Sequence, residues 1–184
     1  MFWHKDIGFR AVEERDLESL RLLRNDPSTW MFLTDVKVVN SIMQEEWYER
    51  MSRNSGIQYY TVVKRVKTSE GNEEGDFLGM VRTDEIDFVN RSMRIGCDIV
   101  PAERRKGYGT MVFKAVMKYA FDQLNMNRLW LCVLDNNMIA RNLYKNVGFE
   151  VEGRYRRAIW RDGEWHDYIV MSILREEYED RQGK

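Results

Sequence analysis

Apolar and polar positions along the chain recur with two periods, and their alternation predicts the order of the elements. Residues 8–12 make a short strand, and Asp16 is placed to cap a helix in which Leu17, Leu20 and Leu23 recur until Asn25-Asp26-Pro27 stops it. Ser41 can cap a second helix with Ile42, Met43, Trp47 and Met51 as its apolar stripe, and 28–40, which has no period, is expected to be an ordered loop. β-branched and aromatic residues at 57–66, a polar glycine-containing turn at 67–76 and a renewed strand pattern from 77 predict a hairpin. A turn at Asn90-Arg91 leads to a third antiparallel strand, 93–100.

After residue 100 the pattern changes. Between 107 and 124 only Thr110, Lys114, Lys118 and Asp122 form a polar stripe, as expected of a largely buried helix. Residues 128–134 follow without alternation, which suits a central strand covered on both faces, so strand, helix and strand form one parallel crossover. Asn137 then opens a helix with Ala140, Leu143, Tyr144 and Val147 on one face, and Gly148 closes it. Strands at 149–160 and 165–174 flank the turn Arg161-Asp162-Gly163. The class is α/β, an α+β mixed sheet with helices on both faces, in a single domain over 1–184.

Composition narrows the function classes. With 43% hydrophobic and 32% charged residues, and only 12 Gly and 2 Pro, the chain is neither disordered nor fibrous. Lys and Arg total 29 against 30 for Asp and Glu, a net charge of −1, so nothing global draws it to nucleic acid or anionic lipid, and any anion site must be local. Cys97 and Cys132 form no CxxC pair and lie in strands, which predicts reduced thiols, no metal site and a reducing, cytoplasmic compartment. The longest apolar run, 129–134, is far short of a membrane span, and the first residues lack a signal-peptide layout.

The most informative segment is Arg104-Arg105-Lys106-Gly107-Tyr108-Gly109-Thr110, between a strand and the start of the long helix. Backbone N–H groups at such a helix start favour an anion by about 0.3 to 2 kcal/mol before any side chain acts. The spacing fits neither a Walker A loop nor a dinucleotide fingerprint, which needs a small residue where Val112 stands. With Arg104, Gly107 and Gly109 in place, the segment resembles the pyrophosphate loop of the GNAT acetyltransferase superfamily, Gln/Arg-x-x-Gly-x-Gly/Ala. A second run, Asn137-x-x-Ala140-x-x-Leu143-Tyr144-x-x-x-Gly148-Phe149, is similar to the family's segment after the crossover. The ending, Glu152-Gly153 followed by Gly163-x-Trp165-x-Asp167, Met171 and Leu174, is similar to the branch of ribosomal-protein and polyamine acetyltransferases, and the segments Leu23-Arg24-Asn25 and 44–48 to members acting on amino-sugar nucleotides.

The resemblance implies a GNAT fold: antiparallel N-terminal strands, a central splayed parallel pair with a crossover helix, and a C-terminal hairpin. It also implies direct transfer from acetyl-CoA to a primary amine in a ternary complex. Ile99 and Val100 would pair with the pantetheine arm, Arg104, Arg105, Lys106, Gly107, Tyr108, Gly109 and Thr110 would hold the pyrophosphate, and Asn137, Ala140, Asn142 and Tyr144 would complete the cosubstrate site. Tyr144 would be the general acid. Both positions where the family carries a basic glutamate are filled otherwise, by Met93 and Arg94 and by Cys132, leaving Asp98, Glu85, Asp87 and His166 as candidates, the last expected at the surface of a hairpin. Asp35, Glu45, Glu46 and Glu49 suit a polyamine, whereas Arg154, Arg156, Arg157 and Arg161 suit an anionic sugar nucleotide. Trp30, Phe32, Trp47 and Tyr48 lie where the family builds its acceptor pocket. A peptide N-terminus, as on a ribosomal protein, and a silent acyl-CoA-binding module are the alternatives. Edge strands of such sheets pair between subunits, which leaves room for a homodimer.

Overall fold

The computed structural model describes residues 1–54 and 56–183, which form two compact units: Met1–Asp84 with Gly96–Val112, and Glu85–Ile95 with the chain from Phe113 onward. In the first, β1 (Phe2–His4), β2 (Ile7–Ala11), β3 (Gln58–Thr68) and β4 (Gly71–Asp87) are antiparallel neighbours in that order. The end of β5 (Ser92–Ile99) lies against β4, where the Val100 N–H donates to Leu78 O at 2.9 Å. Gly79 makes this approach possible: a Cβ there would stand 2.0 Å from the carbonyl oxygen of Asp98. Ile7, Phe9, Val62, Val63, Leu78 and Val81 are buried.

The hairpin is tighter than its polar sequence suggests, because β3 and β4 pair out to Thr68 and Gly71, leaving only Ser69 and Glu70 for the turn. Strand pairing overrides the polar composition on this exposed ribbon. The helices are α1 (Leu17–Asn25), α2 (Pro27–Trp30) and α3 (Ser41–Ser52), so part of the expected loop is one helical turn capped by Asp26, whose side chain accepts from the Ser28 N–H. α3 is capped by Asn40 rather than Ser41, through the Met43 N–H at 2.9 Å. Nor is its apolar stripe the inward face: Ile42 is 63% exposed, whereas Gln44 is buried.

Asp16 also departs from expectation. It makes no side-chain cap to α1 and is instead buried, accepting from Arg10 at 2.5 and 2.7 Å, from the Glu13 N–H at 2.9 Å and from Thr61 at 2.8 Å. The Asp16 carboxylate, in the turn that enters α1, therefore ties that entrance to β2 through Arg10 and to β3 through Thr61.

In the second unit β5, β6 (Arg128–Leu134), β8 (Glu164–Leu174) and β7 (Glu150–Arg161) are neighbours in that order. β5 and β6 are parallel, with Ser92, Met93 and Arg94 opposite Arg128, Leu129 and Trp130, and β8 runs antiparallel to β6 and β7. α4 (Tyr108–Lys118) continues as a π-helical turn, Tyr119–Gln123, and buries Phe113, Ala115, Val116, Met117, Ala120 and Phe121. α5 (Met138–Val147) has the expected ends: the Asn137 side chain accepts from the Ala140 N–H, and Gly148 is left-handed with φ 112°. Charge-rich α6 (Arg175–Gln182) carries no apolar period and was not legible in the sequence. Tyr178 on it stacks on Phe121 at 4.9 Å, and Arg175 donates to the carbonyls of Phe121 (2.6 Å) and Met126 (2.8 Å) at the end of the π turn.

Burial opposes the charge of Asp16, but the hydrogen bonds from Arg10, Glu13 and Thr61 outweigh it and hold the carboxyl below the ordinary carboxylate range. A carboxyl lowered on folding contributes stability that is complete above its unfolded pKa, about 3.9, and is lost as pH falls through the lower folded value. Asp16→Asn should cost about 3 to 5 kcal/mol at pH 7, because it leaves Arg10 with one carboxylate fewer in a buried site. It should also flatten the loss of stability below about pH 4. Denaturant titrations across pH check both; an acid limb as steep as in the wild type would place that limb on other groups.

Candidate active site

The strand-to-helix connection is shaped by two left-handed residues, Arg105 (φ 63°) and Gly107 (φ 89°). Left-handed residues in a turn let successive N–H groups point into one concavity. Among the described residues, no acceptor meets the backbone N–H groups from Arg105 to Thr110; the next, of Met111, donates to Gly107 O at 3.1 Å. A Cβ at Gly107 would meet nothing within 4 Å, so the space beside the turn is open. The connection thus has the donors, the room and the helix-end polarity that a phosphate requires.

Side chains brace the turn. Arg104 donates to Ile99 O (2.8 Å), Ser28 O (3.0 Å), Ser28 Oγ (2.7 Å) and Thr29 Oγ1 (2.5 Å), so its guanidinium ties the turn to β5 and α2. Lys106 pairs with Glu103 at 3.1 Å, and Glu103 also receives Lys64 at 3.1 Å. Arg105 is exposed, with no ion-pair partner among the described residues.

Asp98, on β5 just before Ile99, is half-buried. Burial pushes its carboxyl upward, against the opposing pull of Arg82, Arg24 and Arg104. Burial, with the Asp98 charge, also raises the Cys97 thiol, which suits an inert, reduced cysteine; Cys97 and Cys132 are both free.

In the second unit Tyr144 lies half-buried on α5, its ring 4.9 Å from Phe113 and 6.2 Å from Phe149. Asn137 caps the same helix, Ala140 supplies the capped N–H, and Asn142 is exposed. The candidate bases are dispersed. Glu85, left-handed at φ 49° within β4, pairs with Arg94 at 3.0 Å. Asp87 accepts from the N–H groups of Val89 and Asn90 at 2.9 and 2.8 Å and forms the β4–β5 turn. His166 is not at the surface: it is 7% exposed, with Nδ1 3.1 Å from Asp135 Oδ1.

The carboxylates proposed for a cationic acceptor separate. Asp35 pairs with Arg24 and Glu46 with Arg50, whereas Glu45 and Glu49 line a cavity of about 780 Å³ between α1 and α3. Glu14 and Glu18, which the sequence did not single out, join them there with Tyr48 and buried Gln44. The arginines of the last hairpin do not converge, since Arg154 pairs with Asp167 at 3.2 Å and Arg161 is buried against Trp160 O at 2.6 Å. Trp47 packs edge-on to Tyr59 at 4.9 Å, while Trp30 is half-buried and Phe32 is 40% exposed.

Arg104→Lys keeps the charge but cannot reach Ser28, Thr29 and Ile99 together, and it should lower the unfolding free energy by about 1.5 to 3 kcal/mol. Chemical denaturation measures this, and an unchanged midpoint would mean that the brace contributes nothing to the fold.

Comparison with known proteins identifies the family. The acetyltransferase (GNAT) domain matches residues 6–150. A Bacillus subtilis protein named provisionally as a ribosomal N-acetyltransferase is 26% identical, over 96% of this chain and 95% of its own. The spermidine N(1)-acetyltransferase of Vibrio cholerae is 24% identical, over 97% of this chain and 98% of its own. A crystal structure of the Vibrio cholerae spermidine N-acetyltransferase in complex with CoA and spermine superposes with a TM-score of 0.84 at 24% identity, covering 95% of this chain and 98% of that one. The mixed sheet with flanking helices is of that architecture, and the chain belongs to the GNAT acetyltransferase family as an acetyl-CoA-dependent N-acetyltransferase.

Proposed function

We propose that the chain transfers the acetyl group of acetyl-CoA directly to a primary amine of a polyamine-like small molecule. The observation that carries the cosubstrate part is the open run of N–H donors from Arg105 to Thr110. Their arrangement suits the pyrophosphate, with Gly107 and Gly109 letting it approach the main chain and Arg105 adding charge. Arg104 serves here as a brace that sets the turn, and Ile99 and Val100 border the same connection.

The acceptor reading rests on charge. Glu14, Glu18, Glu45 and Glu49 face one cavity against Arg21 and Arg53, and Arg21 is already paired with Glu18 at 2.7 Å. The excess is negative, which favours a ligand with several ammonium groups. No comparable convergence supports an anionic sugar nucleotide, because the hairpin arginines are paired, buried or scattered. The spermidine acetyltransferases among its relatives lend the same direction, and a ribosomal N-terminus is the alternative that the Bacillus subtilis relative suggests.

An alkyl-ammonium with pKa about 10.4 leaves well under a thousandth of the amine as free base at pH 7, so the site must accept a proton and hold the nitrogen in place. Positioning of that kind contributes about 7 to 11 kcal/mol to a bimolecular step. Tyr144 supplies a phenol held by two aromatic rings, and we assign it the protonation of the departing thiolate.

The purified protein incubated with acetyl-CoA should release CoA with a polyamine pool and not with pools of amino-sugar nucleotides or peptides with free N-termini. Release with peptides alone would replace the polyamine reading by a protein acceptor, and binding without release in any pool would favour a silent acyl-CoA-binding module. Tyr144→Phe should lower kcat roughly 10²- to 10⁴-fold with little change in acetyl-CoA affinity; an unchanged kcat would remove Tyr144 from the chemistry.

A further inference from the structure

For an amphipathic helix, α3 turns the wrong residue inward. Ile42 is 63% and Met43 38% exposed, while Gln44 beside them is 6% exposed. The main-chain N–H of Gln44 donates to Asn40 O at 3.1 Å, but no described residue meets its side-chain amide. An amide carries two donors on nitrogen and two lone pairs on oxygen, and burying it unpaired is costly. A helix that leaves apolar neighbours in solvent and buries this group breaks a packing rule, and such breaks concentrate where a ligand is met.

Gln44 lines the cavity between α1 and α3, which lies wholly in the first compact unit. Its charged companions differ from it in burial: Glu14, Glu18, Glu45 and Glu49 are all exposed. Exposed carboxylates act on charge through solvent and are screened by salt, so they attract cations of any build. A buried amide acts at contact, because a ligand that fails to pair with it shuts out the water that otherwise would. Charge decides which end of the amide is used. The excess of carboxylates disfavours an anion, which leaves the amide oxygen to accept from the N–H of a cation, with a neighbouring carboxylate or water for the amide nitrogen. Tyr48, one turn beyond Gln44, puts a ring on the same wall, suited to the methylene groups between nitrogens.

We infer that Gln44 is a specificity-determining residue of the acceptor cavity, its amide oxygen accepting a hydrogen bond from an ammonium N–H of the bound amine, an inference that rests on the polyamine reading above. The carboxylates select positive charge, and Gln44 selects the hydrogen on it. Primary and secondary ammonium groups carry that hydrogen. A quaternary ammonium has the same charge with carbon in its place, and it leaves the buried amide unpaired. The distinction has a chemical use, since a nitrogen without a hydrogen to lose cannot end as an amide. Selection at Gln44 therefore keeps out cations that the carboxylates would hold but acetyl transfer could never consume.

The test is calorimetric titration of wild type and Gln44→Met with spermidine, diaminohexane and hexamethonium, the last two being dications of one chain length that differ in their N–H groups. Gln44→Met keeps the shape of the side chain and removes the amide. It should weaken spermidine and diaminohexane about 10- to 100-fold and leave hexamethonium unchanged, whereas Glu45→Gln should weaken all three. Gln44→Glu, which returns an oxygen at the same reach, should restore the preference for N–H-bearing cations. A thermal midpoint of Gln44→Met at or above that of wild type, with unchanged acetyl-CoA affinity, is expected because the variant loses an unpaired buried amide. Equal weakening of all three cations by Gln44→Met, or no weakening, would overturn the inference, and with wild type still binding and acetylating spermidine the polyamine reading would stand. A wild-type protein that binds none of the three would overturn that reading and this inference with it.

Discussion

A helix cannot bond the N–H groups of its own first turn, and the start of α4 multiplies that deficit. Left-handed Arg105 and Gly107 extend the run of unpaired donors back from Thr110 to Arg105. Six donors with no acceptor among the described residues are costly unless water or an anion meets them, so the turn is held in a shape that suits a phosphate before any ligand arrives. Arg104 enforces that shape. By bonding Ile99, Ser28 and Thr29 at once, it fixes the chain on the strand side of the turn and links it to α2. The close contact of Gly79 with Asp98 sets the course of β5 in the same unit.

Charge is organised locally, on a chain whose net charge is −1. Positive groups gather near the start of α4, and carboxylates gather in the cavity between α1 and α3. On the proposed reading, a phosphate-bearing cosubstrate and a polycationic acceptor make opposite demands, and these separate regions suit one each.

Periodicity and turn chemistry made much of this legible. Asn137 and Gly148 mark both ends of α5 because a cap side chain and a left-handed residue are local requirements, and the glycines of the α4 loop are legible for the same reason. What failed depended on distant partners. Asp16 has the sequence position of a cap, yet Arg10 on β2 and Thr61 on β3 draw it into an ionic cluster. Ile42 and Met43 have the spacing of a buried stripe, yet α3 turns Gln44 inward and leaves them exposed. His166 lies in a polar hairpin sequence, and only the pairing of β8 with β6 brings it to Asp135. The carboxylate cavity was half visible, since Glu45 and Glu49 were apparent on α3 but their partners Glu14 and Glu18 depend on how α1 packs.

The claim on which the rest stands is that acetyl-CoA is held by the main chain at the start of α4. An amide-resolved NMR titration with acetyl-CoA reads that contact directly. The account predicts that the N–H groups of Arg105 to Thr110 show the largest downfield shifts and the greatest gain in protection from exchange, because each exchanges water for a phosphate oxygen. Saturable binding that leaves these six amides unmoved would contradict it.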